Sequence, residues 1–181
     1  MTMVTGLTVE EFLDGDFPAG AELIDGKVVV NDPSFEHQAV CAFLLDELAR
    51  WIRIGNGFGY RGFGGNWTVG AGHVLKPDVW WARERPTGVR SDRPPELAVE
   101  VRSPENWRYD IGPKMRIYES VGVAELWLVD PPGREVLVYG RSTPKVAEFD
   151  VALTFTEAEV VTSPLLPGFS LPVGDVMDAA R

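Results

Sequence analysis

The chain has 181 residues and one cysteine, so it is long enough to bury a core of its own and cannot form an internal disulfide. Its formal net charge of −10 at pH 7 argues against a protein that coats nucleic acid through a broadly basic surface. No stretch resembles a signal peptide or approaches the roughly 18 apolar residues of a membrane span. We therefore expect one cytoplasmic domain over residues 1–181, away from membranes, with residues 1–5 disordered.

The first part of the chain predicts a short helix, a hairpin and a long helix. Thr8 and Glu11 have the spacing of a capping box, which begins a helix. Asp25-Gly26 separates two apolar runs, and this dipeptide favours the tight turn of a β-hairpin. Ser34 can cap an amphipathic helix that Gly55-Asn56-Gly57 would end.

Two residues of this region each allow two interpretations. Glu22 begins the first strand of the hairpin and is either an exposed strand-end acid or a functional acid that lies near others. His37 falls in the first turn of the long helix and is either a solvent-facing or capping residue or a ligand. The sequence alone leaves both residues open.

Two acidic strands are predicted in the middle of the chain. One covers His73–Trp81 and bears Asp78, and the other covers Leu97–Arg102 and bears Glu100. An isolated carboxylate is costly to bury, so an acid among Val, Leu, Ala and Trp needs a partner. Two such acids on adjacent strands can share a cation, and Mg²⁺ prefers carboxylate oxygens. The pattern therefore indicates a metal site.

The same acids have a structural interpretation, in which each carboxylate pairs with an arginine such as Arg102 or Arg108. Arginines are frequent around the two acidic strands and form a candidate patch for contact with nucleic acid. This patch would comprise Arg83, Arg85, Arg90, Arg93, Arg102 and Arg108.

A helix is predicted over residues 106–120. Asp110 is its expected N-cap, and Pro113 suits a first turn, where no backbone donor is needed. Lys114 and Tyr118 are four residues apart and so share one face. Lys114 is the ammonium best placed to orient an attacking water or to neutralise charge on a phosphoryl group.

The last third of the chain predicts strands and a closing helix. Pro131-Pro132-Gly133 joins two apolar runs as a hairpin turn, and a short helix is expected near residues 173–179. The order of elements predicts an α/β (α+β) fold with a mixed β-sheet flanked by helices.

In their order and spacing these motifs resemble the Uma-two family, which is grouped with restriction endonucleases in the PD-(D/E)XK nuclease superfamily. The resemblance covers nearly the whole chain, and no single motif carries it. The matching segments are Glu22-Leu23-Ile24-Asp25-Gly26, His37-Gln38, Pro77-Asp78-Val79, Val99-Glu100-Val101 with Ser103-Pro104, Asp110 with Lys114 and Tyr118, Leu126-Trp127-Leu128-Val129-Asp130, and Leu166-Pro167-Gly168.

The resemblance implies a restriction-endonuclease-like core that hydrolyses phosphodiester bonds in DNA with Mg²⁺ or Mn²⁺. By position, Asp78, Glu100 and Glu22 would bind the metal, and these acids with Lys114 would be the catalytic set. The lysine expected two residues after the second acid is absent, because Arg102 stands there and an arginine cannot act as a base. Lys114 resembles the lysine that some superfamily members carry on the next helix.

The resemblance also extends to the surroundings of the site and to assembly. The expected pocket residues are His37, Arg102, Asp110 and Tyr118. A homodimer is expected, since enzymes that cut both strands of DNA commonly work in pairs. The alternative is a non-catalytic dimeric binding or scaffold protein that keeps the nuclease fold, which would fit the acidic composition and the displaced lysine.

Overall fold

The computed structural model describes residues 6–54, 57–70, 72–103 and 107–181. The predicted disorder of residues 1–5, the helix stop at Gly55-Asn56 and the motif residue Pro104 lie outside the described residues. Among the described residues, no helix is both long enough and apolar enough to cross a membrane.

Strands and helices alternate through the chain in the predicted order. The strands are β1 (Ala21–Ile24), β2 (Lys27–Val30), β3 (Tyr60–Gly62), β4 (Asn66–Thr68), β5 (Val74–Leu75), β6 (Val79–Ala82), β7 (Arg90–Ser91), β8 (Leu97–Val101), β9 (Glu125–Asp130), β10 (Glu135–Gly140), β11 (Val151–Thr156), β12 (Val160–Val161) and β13 (Leu171–Pro172). The helical segments are α1 (Val9–Asp14), α2 (Phe35–Ile54), α3 (Trp107–Tyr109), a π-helical segment (Asp110–Lys114), α4 (Met115–Ser120) and α5 (Val173–Ala179).

The strands form a six-stranded and a five-stranded sheet, with β12 and β13 paired separately. The larger sheet has the order β11-β10-β9-β8-β6-β3, and only its central pair, β8 and β9, runs parallel. The smaller sheet has the order β2-β1-β5-β4-β7, with β4 and β7 parallel. Both sheets are therefore mixed, as the sequence predicts.

The local signals at the start of the chain produce the predicted elements. The side chain of Glu11 accepts a hydrogen bond from the Thr8 amide at 2.9 Å, and the Thr8 hydroxyl accepts one from the Glu11 amide, which completes the capping box of α1. Asp25 and Gly26 both have positive φ, 51° and 70°, as a type I′ hairpin turn requires. Ser34 caps α2 by accepting a hydrogen bond from the amide of His37 at 3.2 Å.

The six-stranded sheet is covered on both faces, and β8 shows how. Leu97, Val99 and Val101 belong to the cluster formed with α2 and α5. Ala98, between them, packs in a second cluster with α4 and the smaller sheet. Glu100 shares the face of Ala98 because side chains alternate along a strand. The buried acid therefore faces α4.

The predicted strand over His73–Trp81 is wrong as one continuous element. Residues 74–75 form β5 in the smaller sheet, whereas residues 79–82 form β6 in the larger one. Between them Pro77 has no N–H for a sheet ladder, and its carbonyl accepts a hydrogen bond from Gly64 instead. The chain changes sheets at this point, so Asp78 lies just before β6 and not within a strand.

The predicted N-cap at Asp110 is also wrong. The helical region begins by Trp107, and Asp110 opens the π-helical segment that contains Pro113 and ends at Lys114. A proline inside a helix lacks a donor and its ring clashes with the preceding turn, and a widened π turn accommodates it. This segment places Asp110 and Lys114 in the interior, where both are buried.

Gly59 provides a stability prediction at the edge of the larger sheet. Its φ is +83°, and a Cβ at this position would lie 2.6 Å from the Ala82 carbonyl oxygen and 2.7 Å from Trp81 Nε1. We expect Gly59→Ala to lower the free energy of unfolding by about 2–4 kcal/mol, combining left-handed backbone strain with overpacking. Urea denaturation measures this change.

Gly88 supplies the matched control, since its φ is +79° and a Cβ there would have nothing within 4 Å. Gly88→Ala should show only the backbone cost of about 1–2 kcal/mol. Equal losses in the two variants would contradict the steric part of the argument.

Candidate active site

A cavity of about 730 Å³ opens beside the point where the chain changes sheets. Its lining includes Glu22 from β1, His37 and Cys41 from α2, and Lys76 and Asp78 from the connection between β5 and β6. The smaller sheet, the longest helix and the connection that leads into the larger sheet therefore converge on one pocket. A pocket of this size is typical of small-ligand and active sites.

Lys114 is the centre of a buried ionic cluster. Its Nζ lies 2.8 Å from Glu100 Oε1, 3.0 Å from Glu22 Oε2 and 3.8 Å from Asp110 Oδ1. The Lys114 side chain is only 4% exposed, and the side chains of the three acids around it are 2–7% exposed. The structural interpretation, in which arginines form ion pairs with the acids, does not hold for Glu100, because its ion-pair partner is Lys114.

Glu22 is buried and bonded at both oxygens, so its interpretation as an exposed strand-end acid is wrong. Glu22 Oε1 accepts a hydrogen bond of 2.6 Å from the Lys76 amide, and Oε2 pairs with Lys114. The short β1 strand holds Glu22 in place through its pairing with β2. Glu22 thereby connects the smaller sheet to the π-helical segment that contains Lys114.

Tyr118 completes the surroundings of Glu100. Its hydroxyl donates a hydrogen bond to Glu100 Oε1, the same oxygen that contacts Lys114. Burial raises the pKa of Glu100 well above its usual range, Lys114 opposes that shift, and the charges of Asp78, Asp110 and Glu22 add to it. The site thus contains more acid than its buried lysine balances.

The pKa values of Lys114 and Asp110 shift for related reasons. Burial lowers the pKa of Lys114, but the carboxylates of Glu100, Glu22 and Asp110 raise it by more, so the pKa lies well above its usual value. Burial raises the pKa of Asp110 to about 6, against the opposing charge of Lys114. Lys114 is therefore an ammonium at neutral pH.

Asp78 lies beside this cluster and is held from two directions. Continuing the register in which Val79 faces Val99 brings Asp78 next to Glu100. Asp78 Oδ2 accepts a hydrogen bond of 2.8 Å from the Val101 amide and lies 3.0 Å from His37 Nε2. Both contacts use one oxygen, and among the described residues no hydrogen-bond donor contacts Oδ1. Asp78 thus has an oxygen available at the cavity.

His37 belongs to this site, and its interpretation as a solvent-facing residue is wrong. The side chain is 5% exposed, with Nε2 against Asp78 and Nδ1 3.6 Å from Cys41 Sγ. Burial lowers the pKa of His37, but the hydrogen bond and charge of Asp78 raise it by more, so the net direction is upward.

Arg102 is not brought to the site. Its Nη1 contacts both carboxylate oxygens of Asp130 at 3.0 and 2.9 Å, and its guanidinium lies over the ring of Trp107. The structure thus gathers the other expected residues: Glu22, His37, Asp78, Glu100, Asp110, Lys114 and Tyr118.

The candidate basic patch is partly used within the protein. Arg93 forms ion pairs with Glu84 and Glu96, and Arg83 lies over the rings of Phe58 and Trp81. With Arg102 bound to Asp130, half of the six arginines already have partners in the described part of the chain. The patch therefore offers less free charge than the sequence suggests.

Sequence reasoning missed Lys76 and Cys41 as neighbours of the site. Lys76 lines the cavity, where burial lowers its pKa and the charge of Glu22 raises it by less. Cys41 on α2 is partly exposed and also lines the cavity. Its spacing of four residues from His37 on one helix is the signal that could have identified it.

The donor chemistry of the acids fits a hard divalent cation, which takes carboxylate oxygens. The charge also fits, since Glu22, Asp78, Glu100 and Asp110 surround one buried ammonium. The distances between the ligand atoms of these acids fit a shared cation less well than their chemistry and charge do. Among the described residues, the one group of three whose ligand atoms lie within 4.8 Å of one another is His37, Cys41 and Asp78.

Comparisons with known proteins address the family and the fold. The sequence matches the model of the family described as "Uma2: Putative restriction endonuclease" over residues 9–174. No curated protein matches the sequence.

A solved structure, described as a putative nuclease belonging to DUF820 from Anabaena variabilis, is similar with a TM-score of 0.82. It is 18% identical, and the match covers 97% of this chain and 100% of that one. This likeness confirms the predicted fold, a mixed α+β core of the restriction-endonuclease type. Because the family model spans most of the sequence, the chain belongs to the Uma2 family.

Proposed function

We propose that this protein is a metal-dependent endonuclease that hydrolyses phosphodiester bonds in DNA, with Asp78, Glu100 and Glu22 as ligands of Mg²⁺ or Mn²⁺. The observation that carries the proposal is the excess of buried acid. Glu100, Glu22 and Asp110 surround Lys114, and Asp78 lies beside them. The pKa of Glu100 is raised well above its usual range, first by burial. Buried charge needs compensation, and a divalent cation would supply it.

A bound divalent ion would stabilise the negative charge that develops on the phosphoryl oxygens and lower the pKa of a coordinated water. The protein's own groups would then have separate tasks. Tyr118 and Lys114 hold Glu100 Oε1, and the amide of Val101 with His37 holds Asp78 Oδ2. These contacts keep the two acids in fixed positions, which is what a catalytic carboxylate requires.

Lys114 suits the role of a cation better than that of a base. Its pKa lies well above the usual value because the attraction of the surrounding carboxylates outweighs burial. A protonated lysine can donate hydrogen bonds but cannot accept a proton. We therefore propose that Lys114 orients the attacking water or neutralises charge on phosphorus.

The test is cleavage of supercoiled and single-stranded DNA with Mg²⁺ or Mn²⁺. We expect the wild type to cut, and Asp78→Asn and Glu100→Gln each to lower the rate on the order of 100-fold or more, because each removes a metal ligand. Agarose and denaturing gels measure the rate of strand scission.

Asp46→Asn is the matched control, since Asp46 is an exposed acid on α2. Its activity should stay within about twofold of wild type, as is usual for a surface change. Undiminished cleavage by Asp78→Asn would reject the assignment of the site.

The second candidate is a non-catalytic dimeric binding or scaffold protein that keeps the nuclease fold. It is favoured by the ion pairs of Lys114 with Glu22 and Glu100, which already give both acids a partner. A thermal-shift titration separates the two, because a ligand that binds the folded state raises the melting temperature. A metalloenzyme should be stabilised by Mn²⁺ or Mg²⁺, and a scaffold should not respond.

The proposed enzyme would act as a homodimer, since the two strands of a duplex are related by a two-fold axis and isologous dimers are the commonest assembly. Analytical ultracentrifugation tests this, and a monomer at all concentrations would contradict it.

A further inference from the structure

A histidine and a cysteine face each other at the wall of the cavity. His37 and Cys41 are four residues apart on α2, so their side chains share one face of the helix. His37 Nδ1 lies 3.6 Å from Cys41 Sγ, and both residues line the cavity. With Asp78 they form a group whose ligand atoms lie within 4.8 Å of one another.

We propose that His37 Nδ1 and Cys41 Sγ are the protein ligands of a second metal site, with Asp78 orienting His37 from its other ring nitrogen. This site takes Zn²⁺ or a similar borderline transition ion and not Mg²⁺. Imidazole and thiolate donors suit such ions, whereas Mg²⁺ prefers oxygen. The site would share Asp78 with the carboxylate cluster described above but would differ from it in donor chemistry.

The spacing of the two α2 ligands fits such an ion. Zinc lies about 2.0–2.1 Å from histidine nitrogen and about 2.3 Å from cysteine sulfur in a tetrahedral arrangement, which separates the two donors by roughly 3.6 Å. The observed separation of Nδ1 and Sγ is 3.6 Å. These two side chains therefore need little rearrangement to bind.

Asp78 also provides the contact that metal-binding histidines usually have. Its Oδ2 lies 3.0 Å from His37 Nε2, the ring nitrogen opposite the one that faces Cys41. A carboxylate at the second nitrogen fixes the orientation of the imidazole and directs the other nitrogen to the metal. Asp78 is itself held by the Val101 amide, so the arrangement is anchored to β8.

Binding would be a ligand exchange with a defined proton balance. The S–H bond of Cys41 breaks, the sulfur lone pair forms the bond to the metal, and the proton passes to solvent. No oxidant or reductant takes part. Because Asp78 would orient His37 in this site and bind the cation in the other, a transition ion at His37 and Cys41 would add positive charge nearby and weaken the binding of a cation by Glu22, Asp78 and Glu100.

Absorption spectroscopy with Co²⁺ tests the site directly. We expect Co²⁺ added to the reduced protein to produce a near-ultraviolet thiolate-to-cobalt charge-transfer band, which Zn²⁺ abolishes by displacement. Cys41→Ser should lose the band and bind Zn²⁺ at least about tenfold more weakly, with Mg²⁺ stabilisation unchanged. Asp46→Asn, an exposed change on the same helix, should behave as wild type.

Two outcomes would overturn the proposal: Co²⁺ binding without the band, or the same Zn²⁺ affinity in Cys41→Ser. A measurement on the wild type guards against a misfolded variant. Zn²⁺ should slow the reaction of Cys41 with a thiol reagent at least about tenfold while Mg²⁺ leaves it unchanged, and equal reactivity with and without Zn²⁺ would count against the site.

These readouts do not depend on DNA cleavage, so the second site and the nuclease proposal can fail separately. Where the protein does cut DNA with Mg²⁺, a consequence follows that rests on the proposed function. Zn²⁺ should inhibit cleavage because its charge would lie next to the His37–Asp78 pair and weaken Mg²⁺ binding, and Cys41→Ser should need at least about tenfold more Zn²⁺ for the same inhibition.

Discussion

Replacing Lys114 by methionine is expected to lower the free energy of unfolding by about 3–5 kcal/mol at pH 8, the usual cost of removing one partner from a buried ionic group. Lys114 Nζ contacts Glu100 and Glu22 within 3.0 Å, and its side chain is 4% exposed. Methionine fills similar volume but leaves these carboxylates without their cation. Urea denaturation followed by circular dichroism measures the loss.

The pH dependence identifies the cause of this loss. The pKa values of Glu100 and Asp110 are raised by burial, so both acids take up protons at pH 5. A neutral carboxyl group does not need Lys114, so the cost of the substitution should shrink. The double variant Glu100→Gln/Lys114→Met should recover part of the loss at pH 8 for the same reason. Lys145→Met, at an exposed lysine, controls for loss of a positive charge in general. An equal loss at pH 5 and pH 8 would indicate a packing effect instead.

The sequence predicted most elements because their signals are local. The capping box at Thr8, the positive φ values that Asp25-Gly26 supplies and the cap at Ser34 each act within a few residues, and the structure contains all three. The alternation of side chains along β8 is equally local, and it puts Glu100 on the face opposite Val99.

The errors arose where distant parts of the chain decide the outcome. Pro77 was included in one strand because apolar residues stand on both sides of it, but the two halves pair in different sheets. The π-helical segment was missed because Asp110 and Pro113 carry the ordinary signals of a helix start, and only tertiary packing shows that the helix began earlier. Propensity alone cannot resolve such cases.

In the candidate site, too, local signals were predictable from the sequence and contacts between distant residues were not. The spacing of Lys114 and Tyr118 predicted their common face, and both contact Glu100. Nothing local in the sequence showed that Glu22, 92 residues before Lys114, would be its second partner. Nor could spacing show that Arg102 turns towards Asp130, although its position two residues after Glu100 suggested the site. Only the family resemblance indicated that Glu22 belongs with Lys114 in the candidate site.

Asp110→Asn is expected to stabilise the metal-free protein by about 1–3 kcal/mol at pH 7.5 and to have little effect at pH 3.5. Burial is the largest cause that raises the pKa of Asp110 to about 6 from the ordinary 3.8. Between these two values the folded state holds a proton that the unfolded state has released. The free energy of unfolding therefore falls as pH rises through this window, and above pH 6 the charged form is a net cost.

Asparagine removes that cost because it stays neutral at every pH and has nearly the same shape. Urea denaturation without divalent ions at the two pH values measures the difference, with Asp46→Asn as the exposed control on α2. A loss of stability at pH 7.5, or an equal gain at pH 3.5, would contradict the argument. The first result would mean that the 3.8 Å contact with Lys114 outweighs the burial of the charge.

The stabilisation of the protein by metal ions shows whether the energetic cost of the Asp110 charge serves a function. If the cluster binds Mg²⁺ or Mn²⁺, the cation compensates the charge of Asp110, so the metal should stabilise the wild type more than Asp110→Asn. A chain that served only as a scaffold would have no reason to keep an acid whose neutral replacement is more stable. A stabilising Asp110→Asn substitution that also weakens metal binding is thus the pattern expected when stability has been traded for a functional charge.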